Sequence, residues 1–243
     1  FDLLPSGTFY SIAYWNTIFS PRLEGLFRIL DKINYKFLLI GLIFFGLGIF
    51  IIKTFILKLK KWAIGFAIGS TGFVGMSFDL IFIYAYQSFY GFVFSHLALL
   101  VTAFMTGLTL GGWQMTQRLK KIKNDWRTFS KIELALTGFC FITLASLLYL
   151  NRSPMLKFSF VFFLLSILSG YLVGLEFPLA NKIYSSAKTY TQTAGMLYAL
   201  DLLGAWGAAL FISIALVPVI GIIKTCLFLA GLKAISLILV VSS

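Results

Sequence analysis

The sequence predicts an all-α fold: a polytopic transmembrane helical bundle of six or seven spans. Three observations predict it. The chain of 243 residues is 60% hydrophobic and only 12% charged, with a mean hydropathy of +0.96. A soluble domain carries about 25% charged residues. Apolar runs of about 20 residues recur along the chain, and each is long enough to cross about 30 Å of hydrocarbon as a helix. The short alternating segments of a transmembrane β-barrel do not occur. Third, Asp79, Glu176 and Asp201 sit inside those runs. An ionisable group in hydrocarbon is costly, so it faces a protein interior or a wet cavity and often marks function.

Residues 1–36 form a juxtamembrane segment, the most polar part of the chain. Within it, 21–32 read as an amphipathic helix: Leu23, Leu26, Phe27 and Leu30 recur at helical spacing between Arg22, Glu24, Arg28, Asp31 and Lys32. An interfacial helix accounts for this pattern, and a partner-docking motif is the alternative. The bundle occupies 37–243, with spans near 37–58, 62–86, 90–115, 130–150, 156–181, 192–219 and 222–241. The first is the weakest, because Lys53 and Lys58 interrupt it. It spans with snorkelling lysines or lies partly in the interface. The chain opens FDLLPSGTFY without an initiating methionine, so a piece of a longer protein is expected.

The net charge of +12 is concentrated between spans. Lys53, Lys58, Lys60 and Lys61 lie near 53–61, six basic residues lie at 116–131, and Lys182 and Lys188 follow the fifth span. The alternate connections hold only Arg152, Lys157 and Lys224. The positive-inside rule puts loops 53–61 and 116–131 in the cytoplasm of an integral membrane protein. A bacterial cytoplasmic (inner) membrane is the expected location. The basic loops imply contact with an anionic lipid bilayer. They do not imply nucleic acid, because no recognition motif accompanies them.

Small residues mark helix-packing positions: Gly72 and Gly75 in the second span, Gly107 and Gly111 as a GxxxG in the third, and Gly204 in the sixth. Pro178 and Pro218 lie near span ends, where each removes a backbone donor and can kink a helix. Cys140 and Cys226 both lie in apolar spans and read as packing residues. His96 is the only histidine, so neither a metal site nor a nucleophile–His–acid set is expected, and no catalytic residue is assigned. GLTLGG at 107–112 lies in an apolar span with no strand before it and is not a dinucleotide loop.

The candidates for a substrate site or proton relay are therefore Asp79, Glu176, Asp201 and His96. The structural alternative is that each acid caps a broken helix, accepts bonds from Ser, Thr or Tyr, or sits protonated. For His96 it is a satisfied interhelical donor.

Several segments carry a family resemblance. GLEFPLANKI (174–183), LYALDLLGAWGAALF (197–211) and LVPVIGIIKTCLFLAG (216–231) resemble the membrane region of spermidine-synthase-like integral membrane proteins. The matched positions are Gly174, Leu175, Glu176, Pro178 and Leu179, then Ala199, Leu200, Asp201, Leu203, Gly204 and Ala205, then Pro218 and Gly221. GFVGMSFDL (72–80) and AFMTGLTLGG (103–112) resemble the family's earlier spans, and DLLPSGTFYSIAYW (2–15) resembles the segment that follows the synthase domain in fused members. The chain departs from the pattern at Lys233, where Asn is usual, at Ile222 for Leu, and at Asp79 for Glu.

The resemblance implies a bundle related to the major facilitator fold, attached to a synthase-type domain of the same polypeptide. The family's Gly-rich loop, which holds decarboxylated S-adenosylmethionine, does not occur here. No cofactor is thus expected in this chain, and decarboxylated S-adenosylmethionine only if a synthase domain precedes it. One tension follows. If 37–58 crosses the bilayer, residues 1–36 fall outside, whereas the cosubstrate is cytoplasmic.

Three functions compete. The first is the bundle of such a fused protein, anchoring the synthase-type domain and binding or moving a polyamine-like cation. The second is a non-catalytic structural subunit that joins other membrane subunits. The third is half of a secondary transporter, although no internal repeat appears.

Overall fold

The computed structural model describes residues 60–91, 94–152, 159–185 and 190–242, with Gly41 alone before them. The expected juxtamembrane segment 1–36 lies outside the described residues, as does the span 37–58 apart from Gly41. Among the described residues every regular element is helical, and six helices are long and apolar enough to cross a membrane. They match the second to seventh expected spans.

Helix α1 is Lys60–Tyr90, α2 Phe94–Arg118, α3 Asp125–Arg152 and α4 Ser159–Ser185. Helix α5, Tyr190–Phe211, runs on through a π-helical segment, Ile212–Ile220, and α6 is Ile222–Val241. Local chemistry sets several ends. Gly91 closes α1 at φ +82° and donates its N–H to the Gln87 carbonyl at 2.9 Å. A left-handed residue there favours glycine. The Asn124 side chain caps α3 by accepting the Arg127 N–H at 3.1 Å. Asp125 in the first turn of α3 and Arg152 in the last both suit the helix dipole.

Pro218 sits in the π-helical segment, where it brings no N–H to the winding. Gly221, at φ +86°, is the single residue between that segment and α6. Pro178 lies inside α4, which continues past it to Ser185.

Side-chain contacts fix the helix directions. Trp126 Nε1, at the start of α3, donates to the Val240 carbonyl at 3.1 Å, at the end of α6. Lys182, near the end of α4, pairs with Asp125 at 2.7 Å and donates to the Leu119 carbonyl at 2.9 Å. The ends of α2, α4 and α6 and the start of α3 therefore share the face carrying loop 119–124.

Two parallel helix pairs are held by backbone-to-backbone contact. In α2 and α4 the glycines are reciprocal. A Cβ on Gly107 or Gly111 would collide with the Ile167 or Tyr171 carbonyl, and one on Gly170 or Gly174 with the Phe104 or Leu108 carbonyl. In α1 and α5, a Cβ on Gly72 would collide with the Asp201 carbonyl, and one on Gly204 with the Gly69 carbonyl. Gly75 is less extreme, with Val173 side-chain carbons at 3.2 and 3.3 Å from a built Cβ. The GxxxG expected at Gly107 and Gly111 thus has a matching partner, Gly170 and Gly174.

The outside is apolar and the inside holds the polar groups. Trp62, Phe94, Trp113, Trp206 and Phe160 are exposed, whereas Glu133, Glu176, Lys233, Ser166, Ser169 and Ser236 are fully buried. This inversion fits a bilayer solvent, and the chain is an integral membrane protein. Cys140 and Cys226 are buried free thiols, as their spans suggested.

Candidate functional site

The buried seams of four helices converge on one charged cluster. On α3 the seam is Phe129, Ile132, Glu133 and Leu136, an i, i+3, i+4, i+7 stripe that turns Glu133 inward. On α6 it runs Thr225, Cys226, Leu229, Ala230, Lys233 and Ser236. On α4 it includes Val173, Glu176, Leu179 and Ala180. On α1, Thr71 is buried between Ile68 and Val74.

Depth is consistent across the set. Glu133 lies eight residues after Asp125, Lys233 eight before Val241, and Glu176 nine before Ser185. At 1.5 Å per residue each is about 12–14 Å from the helix end on the 119–124 side.

Lys233 is the hub. Its Nζ donates to Glu133 Oε2 at 3.0 Å and to Thr71 Oγ1 at 2.6 Å, and lies 3.6 Å from Glu176 Oε2. Ser236 Oγ donates to Glu133 Oε1 at 3.0 Å. Thr71 Oγ1 is 2.6 Å from Glu176 Oε2 and 2.8 Å from the Ala67 carbonyl. Its single proton serves one or the other, or is shared. Glu176 Oε1 is buried and has no hydrogen-bond partner among the described residues.

All three charged side chains are fully buried. Two carboxyl groups face one ammonium, so full ionisation would leave one unbalanced negative charge. In apolar surroundings such a charge is strongly disfavoured. The cluster therefore favours binding one more positive charge.

The other predicted residues lie elsewhere. Asp79 is on α1, eight residues beyond Thr71 and about 12 Å along the axis. It is 7% exposed, and its Oδ1 has no partner among the described residues. Asp201 is half-buried at the crossing of α1 and α5, where a Cβ on Gly72 would come within 2.6 Å of its Oδ1. His96 opens α2 and stands edge-on to Tyr86 at 5.7 Å and Phe163 at 6.5 Å. Its Nδ1 is buried with no hydrogen-bond partner among the described residues. Only Glu176 of the four candidates enters the cluster.

Glu133 and Lys233 are not among the predicted candidates. The signal was present in α6, whose only charged residues are Lys224 and Lys233. A lysine in the middle of an apolar span calls for a buried acid.

No family model matches the chain. Over 131 residues, 53% of its length, it is 29% identical to a polyamine aminopropyltransferase of Leptospira interrogans. The match covers 25% of that protein, so the chain spans about a quarter of the curated relative it matches. No solved structure matches it.

Proposed function

We propose that this chain is the membrane bundle of a spermidine-synthase-like fused protein. It anchors a synthase-type domain at the bilayer and binds a polyamine-like cation at acids on its spans. The observation that carries this reading is the similarity to a quarter of a polyamine aminopropyltransferase. It falls on a chain with six bilayer-length helices. On this reading aminopropyl transfer, with decarboxylated S-adenosylmethionine, belongs to the attached domain. Asp79 and Asp201 are the acids for the polycation, because neither has its carboxylate engaged by Lys233.

Two measurements test the two halves. The first is the intact mass of the native protein, with peptide coverage upstream of Phe1. A mass well above 27.2 kDa, with a Gly-rich nucleotide-type loop upstream, is expected. A mass near 27.2 kDa overturns the fused-domain half, and a stable stoichiometric partner would then favour the subunit reading. The second is equilibrium dialysis of labelled spermidine against the purified full-length protein. Saturable binding that Asp79→Asn with Asp201→Asn weakens at least tenfold is expected. Absence of saturable binding overturns the cation half.

A further inference from the structure

The Glu133–Lys233–Glu176 cluster has a further consequence, independent of polyamines and of any attached domain. We propose that the cluster is a proton-binding site that holds one proton on the Glu176 carboxyl, with Lys233 and Glu133 as the ion pair.

Charge balance requires one added positive charge, and the geometry selects where it goes. Both Glu133 oxygens are satisfied, by Lys233 and by Ser236. Glu176 lies at 3.6 Å from the ammonium, beyond hydrogen-bond length, and its Oε1 has no partner among the described residues. A proton needs no cavity, which suits a site whose three charged side chains are all fully buried.

The surrounding charges do not change the balance. On α3 the neighbouring titratable groups are Lys131, which is exposed, and Cys140, a buried free thiol. On α5 it is Asp201, on the Gly72 side of α1. Helix α2 has no acid, lysine, tyrosine or cysteine between His96 and Arg118. The step is simple: a solvent proton adds to a Glu176 oxygen as an O–H bond, and no other bond changes. Loss of that proton would set two carboxylates in competition for one ammonium, and so would couple the contacts of α3 and α4 with α6.

Infrared spectroscopy of the whole protein in lipid nanodiscs at neutral pH tests this. Among these 243 residues carbon-13 glutamate labels Glu24, Glu133 and Glu176, so each variant is read as a difference from wild type. Wild type is expected to show a protonated-carboxyl band, shifted by the label, and Glu176→Gln loses one glutamate's worth of it. The same loss occurs in Glu133→Gln, where Glu176 becomes the sole partner of Lys233. Lys233→Met gains one further glutamate's worth. No label-shifted band in wild type overturns the proposal without recourse to any variant. A band that survives both glutamine variants at full strength also overturns it.

Discussion

At the scale of the residue, Lys233 and its two glutamates are not equivalent. Removing the ammonium leaves two buried carboxyl groups with no cation. Removing one partner of a buried ion pair costs about 3–5 kcal/mol. Lys233→Met should therefore lower the thermal unfolding midpoint more than Glu133→Gln or Glu176→Gln, each of which leaves one acid for one lysine. Equal losses in all three, read by intrinsic fluorescence in detergent, would contradict the charge count. Thr71→Val removes the acceptor 2.6 Å from Lys233 Nζ and the donor to Glu176. A cost of about 1–3 kcal/mol is expected, and an unchanged midpoint would argue against the contact.

Glu176 was legible in the sequence because an acid in the middle of an apolar run stands out. Glu133 was not. It lies two residues after Lys131, at the edge of the basic loop. The expected span 130–150 contains it only three residues from its edge, and the start of α3 at Asp125 sets it eight residues into the helix. Lys233 read as a departure from a family pattern, and its role depends on which helix faces α6. One sequence does not encode that pairing locally.

At the scale of the element, glycines fall into two groups. Those at the α2–α4 and α1–α5 contacts face a carbonyl where a Cβ would sit. Gly138 and Gly195 face open space. Gly111→Val or Gly174→Val should therefore separate α2 from α4 and leave little folded protein on size-exclusion chromatography. Gly138→Ala and Gly195→Ala should be as stable as wild type, or more stable by about 0.5–1 kcal/mol. If all four behave alike, the close approach is wrong. Gly107 and Gly111 were readable from their spacing as a packing motif. Their partner, the Gly170 and Gly174 pair, was not, because spacing names a face and not what lies against it. Pro178 read as a candidate kink, and it lies inside α4, which continues to Ser185.

At the scale of the whole molecule, the six spans among the described residues and their order were legible. Bilayer thickness fixes helix length, and the described helices follow the expected runs. For orientation the loop charges make a prediction, with the basic loops in the cytoplasm. Lys123→Cys, in loop 119–124, should react with a membrane-impermeant maleimide only from the cytoplasmic face. Lys224→Cys, at the start of α6, should react only from the other. The reverse pattern would invert the topology. Convergence of the acids was not legible: hydropathy places Asp79, Glu176 and Asp201 at depths, and only packing shows that Glu176 alone meets Lys233.

The central claim is that Lys233 ties the last helix to α3 through a buried charge pair. A double-mutant cycle on Lys233→Met and Glu133→Gln tests it most directly, with unfolding free energies measured in one detergent. The two losses should be strongly non-additive, with a coupling of about 1–3 kcal/mol and the double variant more stable than Lys233→Met alone. Losses that simply add would show that the two side chains do not interact, and would contradict the account.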